Sequence, residues 1–349
     1  MKKFRYFLVA LILAIQNLSC GNYEARDQTR EFGVAYVSFE DRNFGEYMTI
    51  APQAGSLIFW TEDFYWGYLG VNPPSIHRRN MAEFASAVSQ TDLDIYLGVN
   101  LLAYSRGELF TPIPESVTPP NFSNPLVKTA FISECYDILS IMQEGSGGKV
   151  KYMALVMEMN YYKNINPDDY TNLVDTVVMA KESLKADFPE VEIGVYFTCN
   201  GLWKEHFANP KVYTEVIGDS RLSIMDFLGA SAYPGLKFFN HPEDIPQEYY
   251  LLAVNASPVP FHIPELGWAS SGRSSPEEQL FFIEDFFNRQ VDGLDVSVVI
   301  WFVLVDFSNN CPPVFQPFRS MGLWGEDFAY SKPSWGEWLL QTEEEDEEL

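Results

Sequence analysis

Basic residues are scarce in this chain: 23 Lys and Arg stand against 48 Asp and Glu, giving a formal net charge of −25. Such a field repels phosphate backbones and anionic headgroups, so nucleic acid is excluded as a natural partner. Histidine is equally sparse. The four His residues fall in no HxH or HExxH spacing and the four Cys in no CxxC, so no metal site is predicted. No Gly-rich phosphate loop follows the first apolar run, where Ser38-Phe39-Glu40-Asp41 stands instead. That removes the usual nucleotide cradle, and no cofactor is predicted. With 47% hydrophobic and only 20% charged residues the composition is globular, against disorder or a coiled coil. Aromatics are plentiful at 15%, more than a core of this size needs, so some are expected to line a cleft.

No apolar stretch at the N-terminus is long enough to span a bilayer. Lys2, Lys3 and Arg5 precede a run from Tyr6 to Ile15, which has the length of a secretory h-region. It is followed by Asn17-Leu18-Ser19-Cys20-Gly21, which resembles a bacterial lipoprotein cleavage site with Cys20 as the lipid-bearing residue. The expected organisation is a signal segment over 1–20, a linker over 21–30, one folded domain over 31–340 and an acidic tail over 341–349. The protein is then expected to be exported, at the cell surface or outer membrane if anchored through Cys20 and otherwise secreted or periplasmic. Cys135, Cys199 and Cys311 remain, an odd number that reads as buried thiols or as one disulfide and one thiol.

Between residues 31 and 340, short apolar runs recur at 33–39, 56–60, 94–100, 151–157, 192–197, 227–232, 260–263 and 296–303. None alternates with polar residues, as expected of strands buried on both faces of a parallel sheet. Helical patterns separate the later ones. Asn166-Pro167-Asp168-Asp169 and Ser275-Pro276-Glu277-Glu278 read as helix starts, and Asn124-Pro125 opens another. Eight successive βα units predict an α/β fold, a single (β/α)8 TIM barrel.

Reactive groups in such a barrel stand past the carboxyl ends of the strands. Glu158 ends the fourth run and Glu265 the seventh. A carboxylate following a buried strand is partly desolvated and acts as an acid near neutral pH, while a second can stay ionised as a nucleophile. Glu265-Leu266-Gly267-Trp268, Asp226 to Pro234 with Tyr233, Val299-Ile300-Trp301-Phe302 and Lys332-Pro333-Ser334-Trp335 stand at matching places along the chain. Together they resemble the retaining glycoside hydrolases of clan A, and in the closing segment the endo-β-1,4-galactanases and related β-glycanases.

That resemblance implies cleavage of a β-linked polysaccharide or oligosaccharide by double displacement, with Glu265 as nucleophile and Glu158 as acid/base. It also implies that Tyr233 holds the nucleophile, that Trp301 floors the sugar subsite, and that the peptide bond after Trp301 is cis. Trp60, Trp203 and Trp268 are further candidates for sugar stacking. Asn160 and Asn200 are candidates to replace the Asn that the family carries immediately before the acid/base, where this chain has Met157. The alternative is a catalytically inactive carbohydrate-binding surface lipoprotein built on the same barrel. Glu40, Glu62 and Asp306 read as hydrogen-bond acceptors for substrate or as loop anchors.

Overall fold

The computed structural model describes residues 30–37, 44–105 and 108–346, so the signal segment, Cys20, most of the linker and Glu40 lie outside the described residues. Eight parallel strands form a closed barrel: β1 (Glu31–Tyr36), β2 (Leu57–Asp63), β3 (Asp94–Asn100), β4 (Val150–Ala154), β5 (Glu192–Thr198), β6 (Phe227–Ala232), β7 (Phe261–Leu266) and β8 (Val296–Trp301). Each pairs with its neighbours in sequence, and β8 returns to β1 through Val34↔Trp301 and Gly33↔Ile300. The predicted single (β/α)8 barrel is the fold found. A small hairpin, Ala103–Ser105 with Glu108–Phe110, projects after β3. Among the described residues no helix is long and apolar enough to cross a membrane.

The helix starts follow the sequence unevenly. Asn124 accepts from the Leu126 N–H at 3.0 Å and Ser275 from the Glu278 N–H at 3.2 Å, as their motifs predict. Asn166 makes no side-chain cap; a 3-10 turn over Pro167–Asp169 intervenes before the helix Tyr170–Asp187. Asp169 is instead drawn inward, accepting from the Phe122 N–H at 2.7 Å and from the Tyr162 hydroxyl. The last helix, Pro333–Asp346, carries on past the boundary drawn at residue 340. Cys135 and Cys199 are buried thiols, and Cys311 is buried as well.

Two apolar layers result. The barrel interior holds Leu57, Phe59, Tyr96, Tyr152, Phe227, Val298 and Ile300, and His262 stacks on Phe227 with ring centroids 4.2 Å apart. Burial drives the His262 imidazole down to about 3, with Lys151 adding to the effect, so it is a neutral packing group. The outer layer packs Ile263, Val299 and Trp301 against the surrounding helices.

The interior parity of β7 decides where its glutamate points. Alternation from the inward His262 would turn Pro264 inward and Glu265 out. The register prevents this: Gly229↔His262 is followed by Ser231↔Glu265, and on the other side Val299↔Ile263 by Trp301↔Leu266. One extra residue in β7, at Pro264, is therefore a bulge that returns Glu265 to the interior face. Proline suits the place because a bulged residue needs no ladder N–H.

Glu134, on the helix Pro125–Ser146, is buried at 4% exposure with its Oε2 unpartnered and Arg78 no nearer than 3.9 Å. Burial pushes its carboxyl up to about 7, against a weaker pull from Arg78. A raised acid favours folding where it is protonated, so this group destabilises progressively as pH rises from about 4.5 towards 7. Glu134→Gln is expected to raise the thermal midpoint at pH 8 by about 2 °C or more, and to change it little at pH 5. An equal shift at both pH values in thermal unfolding would contradict this account.

Candidate active site

A cleft of about 640 Å³ opens at the carboxyl ends of the strands, and Glu158 and Glu265 both line it. Glu265 comes from the bulged end of β7 and is 7% exposed. Its two oxygens are held from two strands: the Tyr196 hydroxyl of β5 donates to Oε1 at 2.6 Å, and the Tyr233 hydroxyl beyond β6 donates to Oε2 at 2.6 Å. Tyr233 thus bonds the glutamate with which the resemblance pairs it. Tyr196 was not singled out, because it sits within an all-apolar run where nothing marks its inward face.

Glu158 arrives differently. Its strand stops at Ala154, and the chain turns through residues 155–157 before Glu158 adopts the left-handed conformation, φ 50° and ψ 42°, directly ahead of the helix Met159–Ile165. A non-glycine residue there costs about 1–2 kcal/mol, offset by the packing that fixes the turn. The Ser231 hydroxyl of β6 donates to Glu158 Oε1 at 2.8 Å. Because Ser231 pairs with Glu265 in the sheet, one short side chain bridges from the backbone beside one carboxylate to the other.

These surroundings separate the two acids. Burial, then the negative charge of Glu265, pushes Glu158 up to about 7, with Ser231 and Lys237 opposing. Burial also raises Glu265, but the tyrosine hydrogen bonds favour its ionised form. Near pH 7 Glu158 is poised to exchange a proton, beside a Glu265 whose two hydroxyl donors favour its charged form. Removing one donor with Tyr196→Phe should raise Glu265 further and move the acidic limb of kcat/KM up by about one pH unit. An unmoved limb in the pH–rate profile would show that Tyr196 does not tune the site.

The remaining candidates divide. Trp60 lines the cleft, 4% exposed, with its indole N–H on Glu62 at 2.8 Å; Glu62 in turn contacts His77. Asn200 also lines it, donating to the Tyr233 carbonyl at 2.9 Å and accepting from Tyr249. Asn160 does not reach the cleft: it is 1% exposed and accepts from the Thr198 N–H at 2.8 Å, a tie between the β4 turn and β5. Trp203 is buried among Tyr249, Phe239 and His206. Trp268 is 2% exposed, stacked on Phe282, and borders a different cavity.

Trp301 requires the largest correction. It is fully buried outside the barrel, against Trp338 and Phe282, with its indole N–H on the Met321 carbonyl at 2.7 Å. Val298 and Ile300 take the inward positions, so Phe302 is the next residue to face the cleft, and the cis peptide joins Phe302 and Val303 rather than following Trp301. Phe302 occupies the place assigned to the indole. Asp306 is a loop anchor, bound to Lys332 at 2.6 Å and to the Gly322 N–H at 2.9 Å. Among the described residues no three His, Cys, Asp or Glu are grouped to hold a metal ion.

No protein-family model and no curated protein sequence matches this chain. Solved structures do. An exo-β-1,4-mannosidase from Opitutaceae bacterium strain TAV5 superposes with a TM-score of 0.68 at 12% identity over 92% of this chain, which spans 60% of the length of that protein. GH5_18 from Bifidobacterium longum subsp. longum, in complex with Manβ1-4GlcNAc, gives 0.66 at 14% identity, covering 90% of this chain and 78% of that one. A family 39 glycoside hydrolase from the gut symbiont Bacteroides cellulosilyticus WH2 gives 0.59 at 15% identity, with 90% and 64% covered. At these identities the likeness is one of fold.

Proposed function

We propose that this protein is a retaining β-glycosidase in which Glu265 attacks the anomeric carbon and Glu158 protonates the departing oxygen, then activates the water that releases the sugar. The observation that carries the reading is the differentiated pair in a single cleft: one carboxylate clamped by two tyrosine hydroxyls, the other desolvated, pushed up to about 7 and bonded to Ser231. Retention requires carboxyls about 5–5.5 Å apart, and the Ser231 bridge supports a close approach rather than the wider gap that inversion needs. The solved neighbours named for β-mannosides support a β-linked glycan as the substrate, with β-1,4-mannosides first to be tried. Export, with a lipid anchor at Cys20, rests on the basic, apolar and Ser19-Cys20 pattern of the N-terminus; metabolic labelling with a fatty acid and its loss in Cys20→Ala tests the anchor.

Incubation with aryl β-mannoside, β-galactoside, β-glucoside and β-xyloside, followed by proton NMR of the first-formed anomer, tests the reaction. The β-anomer is expected. First release of the α-anomer would replace retention by inversion, and binding of oligosaccharide without cleavage of any aryl glycoside would favour the binding-protein alternative, with Met157 the first residue to examine.

A further inference from the structure

Beyond the catalytic cleft lies a second cavity of about 320 Å³, formed where the loops after β6, β7 and β8 meet. Leu236 and Pro317 line both cavities, so the two adjoin along a ridge that these side chains help to form. The second cavity is open to solvent and two-faced. Its floor is apolar, with Phe239 partly exposed and the edge of Trp268 beneath, while Asn240 and Arg273 stand exposed at the rim. Trp268 is fixed there by stacking on Phe282 and by its N–H bond to Ser274 at 2.8 Å, so the floor is preformed.

We infer that this cavity is a distal subsite that holds a further sugar unit of the chain being cleaved, an inference that rests on the glycosidase reading. An apolar floor suits the C–H face of a pyranose, and rim donors suit its hydroxyls: Asn240 offers two N–H groups and a carbonyl, and Arg273 five N–H groups in a fixed fork. Continuity over the ridge gives the site its occupant, since a linear glycan crossing Leu236 and Pro317 from the catalytic pair enters the cavity without leaving the surface. The substrate is therefore an oligosaccharide or polysaccharide rather than a monoglycoside.

The test uses the full chain with tetrasaccharides of β-1,4-mannose, β-1,4-galactose, β-1,4-glucose and β-1,4-xylose, and with the matching aryl monoglycosides. The best tetrasaccharide should be cleaved with a kcat/KM at least about tenfold above its disaccharide. Asn240→Ala with Arg273→Ala, and separately Ser271→Trp to fill the cavity, should each raise KM for that tetrasaccharide about tenfold while leaving kcat/KM for the aryl glycoside unchanged. Equal kinetics of variants and wild type on the tetrasaccharide would overturn the subsite and leave the glycosidase standing. If wild type cleaves nothing, the glycosidase reading fails instead, and calorimetric tetrasaccharide binding decides the subsite: weakened in the variants it survives, unchanged it falls.

Discussion

Glu265→Ala is expected to lose turnover of every glycoside by on the order of 10⁴-fold or more, because it removes the carboxylate assigned to form the covalent intermediate. The fold should survive. Glu265 sits at the open end of β7 with its carboxyl on two hydroxyls, and Tyr196 and Tyr233 then face a water-accessible space rather than a closed core. Azide added to this variant enters the vacated side of the sugar and displaces an activated leaving group directly, so the product is the α-glycosyl azide by a single inversion. Turnover surviving in Glu265→Ala without added nucleophile would show that the residue is not the nucleophile, and a β-azide from this variant would contradict the assignment of faces.

Glu158→Ala should behave in the opposite sense. Loss of the proton donor lowers kcat/KM by roughly 10²- to 10⁴-fold for substrates with poor leaving groups, but little for an aryl glycoside whose phenolate departs unaided. The second step then lacks its base, the glycosyl-enzyme accumulates, and azide, needing no deprotonation, releases it as the β-glycosyl azide. The pH profile carries an independent signature. Wild type should lose kcat/KM with rising pH through a limb near 7, where Glu158 gives up its proton, and the variant should lack that limb. A basic limb persisting in Glu158→Ala would assign the acid to another group.

The parts of this molecule legible in its sequence are those where one physical signal acts alone. Eight apolar runs marked eight strands, since burial on both faces of a parallel sheet leaves no polar alternation. The same property hides which residues face inward, and the errors follow from it. Val296 to Phe302 contains no polar residue except Ser297, so nothing told Trp301 from Phe302, and the inward face proved to be that of Phe302. Tyr196 was passed over for the same reason. Glu265 was found through its flanking motif, but its inward direction depends on the bulge at Pro264, a property of register against β6 and β8 that no single strand reveals.

Glu158 lines the cleft, yet its strand ends three residues sooner than the apolar run, and a left-handed turn rather than the strand itself aims it. Ser231 carried a signal that went unused: a polar residue inside a buried strand must find a partner, and its partner is Glu158. The polar residues at 160 and 200 show the limit of such reasoning. Both are amides close to strand ends, and only the hydrogen bonds separate Asn160, spent on the β5 backbone, from Asn200, which reaches the cleft. The Lys332 segment, matched by its motif, serves as a brace: Lys332 binds Asp306 and Ser270, tying the loops after β8 and β7 to the last helix.

The most direct measurement is the mass of the protein during reaction with an activated 2-deoxy-2-fluoro-β-glycoside of its preferred sugar, which slows release of a covalent intermediate more than its formation. The double-displacement account predicts one added fluoroglycosyl group per chain, carried by the peptide that contains Glu265. An unmodified protein that turns over its normal substrate, or an adduct on a peptide lacking Glu265, would contradict it.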